Sequence, residues 1–181
     1  MFKKIPNLLT ASRIVIIPFI LIAMYFEQSV FSHRLAAMLF LYACITDFLD
    51  GWLARTYSIQ SEFGKIFDPI ADKLLVGSVI VVLVYYDKAD LFPAVAIICR
   101  EILVSGLREF LAELRISVPV SKLAKIKTFV QMGAIFLLVL EERESDIYMV
   151  GKVALWIAAG LTIFTGYAYL KASYRHLFIR K

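Results

Sequence analysis

Residues 35–55 read LAAMLFLYACITDFLDGWLAR, and the change within this stretch decides the fold. From Leu35 to Thr46 every side chain is uncharged, and Asp47, Asp50 and Arg55 then follow on the same predicted helix. The clean part is shorter than the ~20 residues a bilayer-spanning helix needs, so the span must take in the acids. The next apolar segment, GKIFDPIADKLLVGSVIVVLVYY at 64–86, mirrors it: Lys65, Asp68, Asp72 and Lys73 come first, and the clean run from Leu74 to Tyr86 follows. Two consecutive spans thus carry their charges at the ends that face each other across one short connection.

Composition agrees with a membrane chain. Of 181 residues, 61% are hydrophobic and 19% charged, and the mean hydropathy is +0.78. Soluble domains run ~45–50% apolar and ~25% charged, so a soluble single domain is excluded. With Gly 8, Pro 5 and Cys 2, so are collagen, a disordered chain and a disulfide-stapled scaffold. Cys44 and Cys99 sit in apolar runs and read as small buried hydrophobes, with no disulfide expected. Apolar runs predict six transmembrane helices at about 7–27, 34–55, 66–86, 91–113, 122–140 and 148–170. The connections are short, and residues 1–181 read as a single membrane domain. Pro18 and Pro69 fall within or at the head of spans, where kinks are expected. The opening MFKKIPNLLTASRIVIIPFIL has the charge pattern of a signal peptide but no small-residue cleavage site, and it reads as a retained first helix.

Basic residues orient the chain. With both termini cytoplasmic, all of the 20 Lys and Arg except Arg34, Lys88, Arg143 and Lys152 lie on the cytoplasmic side. The reverse topology violates the positive-inside rule. Charges at membrane depth require a wet cavity or partners, so Arg13, Asp47, Asp50, Asp68, Asp72, Arg100, Arg108, Lys125 and Lys127 predict a polar chamber open to the cytoplasm.

Within that chamber Asp47 and Asp50 are about 60° apart around their helix, and Asp68 and Asp72 about 40° apart around theirs. Each pair shares a face, and consecutive antiparallel helices bring the two faces together. Four converging carboxylates need cations. Arg55, Lys65 and Lys73 are close enough in sequence for salt bridges. The all-oxygen donor set, without neighbouring His or Cys, suits two hard divalent ions, Mg²⁺ or Mn²⁺. Gly51, Ala54 and Gly64 lie among the acids, where small residues allow a bulky ligand near the backbone or tight helix packing.

Asp47-x-x-Asp50-Gly51-x-x-Ala54-Arg55, followed after eight residues by Gly64-x-x-x-Asp68-x-x-x-Asp72, resembles the full signature of the CDP-alcohol phosphotransferase family. Ile5-Pro-Asn7-Leu-Leu-Thr10-x-x-Arg13, Arg100-Glu-Ile-Leu-Val-Ser-Gly-Leu-Arg108-Glu and Lys125-Ile-Lys127-Thr-x-x-Gln131 are similar to the bacterial members that make phosphatidylglycerophosphate. The resemblance implies six membrane helices, a homodimer in the bacterial inner (cytoplasmic) membrane, and no nucleic-acid partner. It implies transfer of phosphatidyl from CDP-diacylglycerol to an alcohol with release of CMP. By the same resemblance Asp47, Asp50, Asp68 and Asp72 hold two divalent cations, and Asp72 is the general base. Asn7, Thr10, Asp47, Gly51, Ala54, Arg55 and Gly64 seat the CDP donor.

The acceptor is read from the second basic group. Arg100 and Arg108 are about 80° apart around one helix and about 12 Å along it. With Lys125 and Lys127 on the next span, and Arg13, they form a candidate acceptor-phosphate site. Glycerol 3-phosphate fits it; inositol phosphate, serine and phosphatidylglycerol are the alternative acceptors. A cation transporter is the alternative from another class, because intramembrane acids also mark ion pathways.

Overall fold

A computed structural model describes residues 5–26, 29–57, 62–116, 121–141 and 145–178, all of it helix and short connections. The helices are α1 Ile5–Phe26, α2 Val30–Tyr57, α3 Glu62–Tyr85, α4 Leu91–Glu113, α5 Lys122–Leu140 and α6 Asp146–Phe178. Four of them, α1, α2, α5 and α6, are long and apolar enough to cross a membrane. α3 and α4 have comparable lengths of 24 and 23 residues, but Asp68, Asp72 and Lys73 interrupt the first and Arg100, Glu101 and Arg108 the second. The architecture is that of an all-α membrane protein, as the sequence predicts.

Helix ends differ from the apolar runs because a helix continues past its last buried residue wherever its charges reach water. α2 begins at Val30 rather than Arg34, α3 begins at Glu62, and α6 extends to Phe178. At 33 residues α6 is about 50 Å long, well beyond the ~30 Å hydrocarbon layer. Pro18 and Pro69 both lie inside their helices, which run on through them.

On α1, α2 and α5 the inward stripe changes character along its length. On α1 it runs Thr10, Arg13, Ile17, Ile20, Met24; on α2, Ala36, Phe40, Ala43, Thr46, Asp50; on α5, Lys127, Gln131, Ala134, Ile135, Leu138. The steps of three and four are those of one helix face. Apolar members of these stripes merge with Leu75, Val79, Ile80 and Leu83 of α3, Ile97 of α4 and Leu155 of α6 into one core. Polar members gather at the opposite end. The outward faces stay apolar, with Phe31, Phe129 and Leu8 among the most exposed side chains, as lipid contact requires.

Packing is centred on α1 against α2 and α3, α5 against α6 and α2, and α4 against α6 and α3. Tyr148 of α6 is buried in the core. Both cysteines are free, and Cys99 is on the exposed face rather than buried, because its neighbours Arg100 and Ile97 take the inner positions of α4. At the end away from the acids the bundle is tied by side chains. Trp156 Nε1 donates to Asp90 at 2.7 Å, Lys152 pairs with Asp90 at 3.0 Å, and the Phe92 and Trp156 rings stack at 5.8 Å. The hydrogen bond from Trp156, and then the Lys152 charge, hold the Asp90 carboxyl below its ordinary range. Lys88 Nζ donates to the Glu141 carbonyl at 2.8 Å, which joins the α3–α4 and α5–α6 connections.

Close contact between α5 and α6 depends on Gly151, where a Cβ would lie 3.1 Å from Leu137 Cβ and 3.2 Å from Leu138. A Gly151→Val variant is expected to lose roughly 1–3 kcal/mol to overpacking. Gly77→Ala, at a position with nothing within 4 Å, is expected to leave stability unchanged or slightly raised. Unfolding temperatures of the two variants in detergent check both outcomes.

Candidate active site

The acids of α2 and α3 converge on a residue of α1. Arg13 Nη2 donates to Asp50 Oδ2 at 2.8 Å and to Asp68 Oδ1 at 3.1 Å, while Nη1 pairs with Asp47 Oδ1. Thr10, one turn earlier, donates its hydroxyl to Asp50 Oδ2 at 3.0 Å and also meets Asp68 Oδ1. The Arg13 side chain is only 2% exposed and that of Asp50 3%, whereas Asp47 and Asp68 are 45% and 40% exposed. The cluster is therefore sealed on its inner edge and open on its outer edge, where a ligand can reach it.

Asp72, the fourth acid, stands apart from this network. It makes no hydrogen bond among the described residues, and its electrostatic neighbours are Asp47, Glu101, Arg13 and Lys127. It links the carboxylate cluster to a second polar group on α4 and α5. There Glu101 Oε1 accepts from Lys127 Nζ and lies 3.3 Å from Arg100 Nη1. Lys127 is 1% exposed, so its charge needs this partner. The Arg100 stem crosses Gly166 of α6, where a Cβ would lie 3.0 Å from Arg100 Cγ. Gly166 thus sets how closely α4 approaches α6 at the level of the basic group.

The basic residues grouped from sequence do not all meet. Arg13 pairs with the aspartates, where the deficit of cations among Asp47, Asp50 and Asp68 favours the guanidinium. Lys125 is exposed on the other side of α5, as the ~200° between residues two apart requires. Arg108 lies over the Tyr169 ring at 5.8 Å and is exposed. Arg100 and Lys127 remain together. Lys73, one of the candidate partners of the acids, pairs with Glu109 at 3.8 Å. Thr10 bonds the acids, Gly51 is partly exposed and Gly64 is buried; the side chains of Asn7, Ala54, Arg55 and Lys65 lie outside the described residues. Sequence reading missed Glu101 and the role of Arg13. Adjacency to Arg100 was the available signal for the first, and the Thr10–Arg13 spacing, which places both on one face, for the second.

Divalent cations can be tested against these side chains. Among the described residues no group of three or more His, Cys, Asp or Glu is arranged to hold an ion, and the Arg13 guanidinium lies among the acids. The donor set is oxygen only, from Asp47, Asp50, Asp68, Asp72 and the Thr10 hydroxyl, which is the chemistry of hard cations. Glu101 offsets one of the two charges of Lys127 and Arg100, so among the described residues four carboxylates remain against Arg13 and one further positive charge. The residues fit divalent cations in donor type and in charge.

An all-α membrane protein with paired acids on consecutive helices, an oxygen-only donor set and an adjacent basic group is built to handle phosphate esters at a bilayer boundary. The family model for CDP-alcohol phosphatidyltransferase matches residues 3–164, and this chain belongs to that family. A Rickettsia felis protein named CDP-diacylglycerol–glycerol-3-phosphate 3-phosphatidyltransferase is 54% identical over 173 residues, covering 94% of this chain and 95% of its own. Proteins of the same name from Rickettsia typhi and Pectobacterium atrosepticum are 53% and 42% identical, over 94% and 96% of this chain and 97% and 96% of theirs.

Removing Arg13 would leave its three acids facing one another. An Arg13→Leu variant is expected to be destabilised by roughly 3–5 kcal/mol. Thermal unfolding in detergent checks this, with Arg115→Leu, an exposed position outside the network, as the control with little change.

Proposed function

We propose that this chain transfers the phosphatidyl group of CDP-diacylglycerol to glycerol 3-phosphate, giving phosphatidylglycerophosphate and CMP. The observation that carries the reading is Asp72, a carboxylate that takes no hydrogen bond among the described residues and interacts electrostatically with Asp47 and Arg13 on one side and with Glu101 and Lys127 on the other. The relatives' printed name supports the same donor and acceptor.

The reaction follows from that placement. An acceptor hydroxyl attacks the phosphorus that bears diacylglycerol, a new P–O bond forms, and the bond from that phosphorus to the CMP oxygen breaks. Asp72 takes the hydroxyl proton on a carboxylate oxygen that no other described residue engages. Arg100 and Lys127 hold the acceptor's phosphate by charge-assisted hydrogen bonds, and its attacking hydroxyl is thereby aimed at the donor. Asn7, Thr10, Asp47, Gly51, Ala54, Arg55 and Gly64 seat the cytidine diphosphate. Two divalent ions, Mg²⁺ or Mn²⁺, held by Asp47, Asp50, Asp68 and Asp72 would neutralise negative charge on the donor's pyrophosphate. The outer edge of the acid cluster is accessible at Asp47 and Asp68, so a donor whose acyl chains stay in lipid can enter from the side.

We further read the chain as one domain, a homodimer in the bacterial inner membrane, with both termini in the cytoplasm. The distribution of Lys and Arg supports that orientation.

Purified protein in detergent, given CDP-diacylglycerol, is expected to incorporate labelled glycerol 3-phosphate in preference to serine, inositol phosphate or phosphatidylglycerol. Incorporation of one of those alone would sink the acceptor assignment. Asp72→Asn is expected to lower kcat by about 10²-fold or more with CDP-diacylglycerol binding retained. Arg100→Ala is expected to raise the KM for glycerol 3-phosphate about tenfold or more while the donor KM changes little. Chelation should abolish turnover, and Mg²⁺ or Mn²⁺ should restore it.

A further inference from the structure

The proposed acceptor, glycerol 3-phosphate, presents three polar points: the hydroxyl that attacks, the phosphate, and a secondary hydroxyl between them. Asp72 answers the first, and Arg100 with Lys127 the second. Glu101 adjoins both, being an electrostatic neighbour of Asp72 and an ion-pair partner of Arg100 and Lys127. Both of its cation contacts use Oε1, and among the described residues Oε2 takes no hydrogen bond. With one oxygen pinned by two cations and the side chain still 23% exposed, the second oxygen is a fixed, accessible acceptor. A carboxylate oxygen repels phosphate and accepts only from a donor, which in this substrate is a hydroxyl.

We propose that Glu101 is a specificity-determining residue that accepts a hydrogen bond from the acceptor's secondary hydroxyl through Oε2. The inference rests on the glycerol 3-phosphate reading above. It also gives the pocket a direction: a substrate entering with its phosphate toward Asp72 meets two carboxylates, while one entering with its hydroxyls toward Asp72 meets a base and an acceptor.

Two other buried polar groups compete for the role. Gln131 Oε1, one turn from Lys127 on α5, and Thr162 Oγ1 on α6 have no hydrogen-bond partner among the described residues. Neither is held in place by a cation, and both are almost fully enclosed.

The test compares glycerol 3-phosphate with 3-hydroxypropyl phosphate, which lacks only the secondary hydroxyl, as acceptors for purified full-length protein with CDP-diacylglycerol. A hydrogen bond to a charged group predicts that the wild type prefers glycerol 3-phosphate by about 10- to 100-fold in kcat/KM. In Glu101→Ala the preference should fall to within about threefold of unity, and in Glu101→Gln by at least about fivefold. Equal losses toward both acceptors, with the preference intact in Glu101→Gln, would overturn the proposal and leave Glu101 as a support for Lys127 and Arg100. So would a preference that collapses in Gln131→Met or Thr162→Val but survives in Glu101→Gln. If Glu101→Ala does not fold, the Gln variant decides. Wild-type protein that uses neither phosphate acceptor refutes the glycerol 3-phosphate reading itself, whereas use of glycerol 3-phosphate with an unchanged preference refutes only the role of Glu101.

Discussion

Arg13 is a single guanidinium, almost wholly buried, shared by Asp47, Asp50 and Asp68. Acids brought from two helices to the edge of a bilayer repel one another in a medium that screens poorly, and they stay together only with positive charge among them. The charge comes from a third helix. α1 therefore has to pack against both α2 and α3, as it does, and its register along them is set by where its arginine meets the acids. Thr10 reinforces that register from one turn away, because its hydroxyl bonds two of the same carboxylates. The apolar contacts of Ile17, Ile20 and Met24 below are compatible with many sliding positions, whereas the guanidinium fork has a defined place to go.

The same division runs through the rest of the bundle. On α1, α2 and α5 the inward stripe is apolar over most of its length and polar at one end, so the core that stabilises the helices and the polar layer beside it are two parts of one interior. A polar layer of this kind is held by pairings that leave selected atoms free. Among the described residues Arg13 occupies three acids and leaves the fourth without a hydrogen bond, and Lys127 and Arg100 occupy one oxygen of Glu101 and leave the other. The unengaged oxygens belong to Asp72 and Glu101, which are electrostatic neighbours.

Much of this was legible in the linear sequence because it depends on composition and short-range spacing. Six apolar runs, the pairing of Asp47 with Asp50 and of Asp68 with Asp72 on helix faces, and the gathering of charges at one end follow from hydropathy and the 100° step alone. The helix ends were less legible, as α6 shows: its apolar run stops near 170 while the helix continues to Phe178, since hydropathy reports contact with lipid and not hydrogen bonding. Lys125 and Lys127 looked equivalent as charges near one another, yet one faces inward and the other outward.

By itself, then, the sequence determined the class of solvent the chain lives in, the number of helices, and the pairing of Asp47 with Asp50 and of Asp68 with Asp72 on helix faces, because each of these is local in the chain or a sum over it. Tertiary structure decided which cation serves those carboxylates. Arg55, Lys65 and Lys73 were nearer in sequence, but Arg13, 34 residues before Asp47 and 55 before Asp68, is the one that reaches them among the described residues. It also decided that Glu101 and not Lys125 joins Lys127 and Arg100. Pairings of this kind depend on how helices rotate and pack against one another, and a long flexible side chain can cross from one helix to the next in directions that no spacing along the chain specifies.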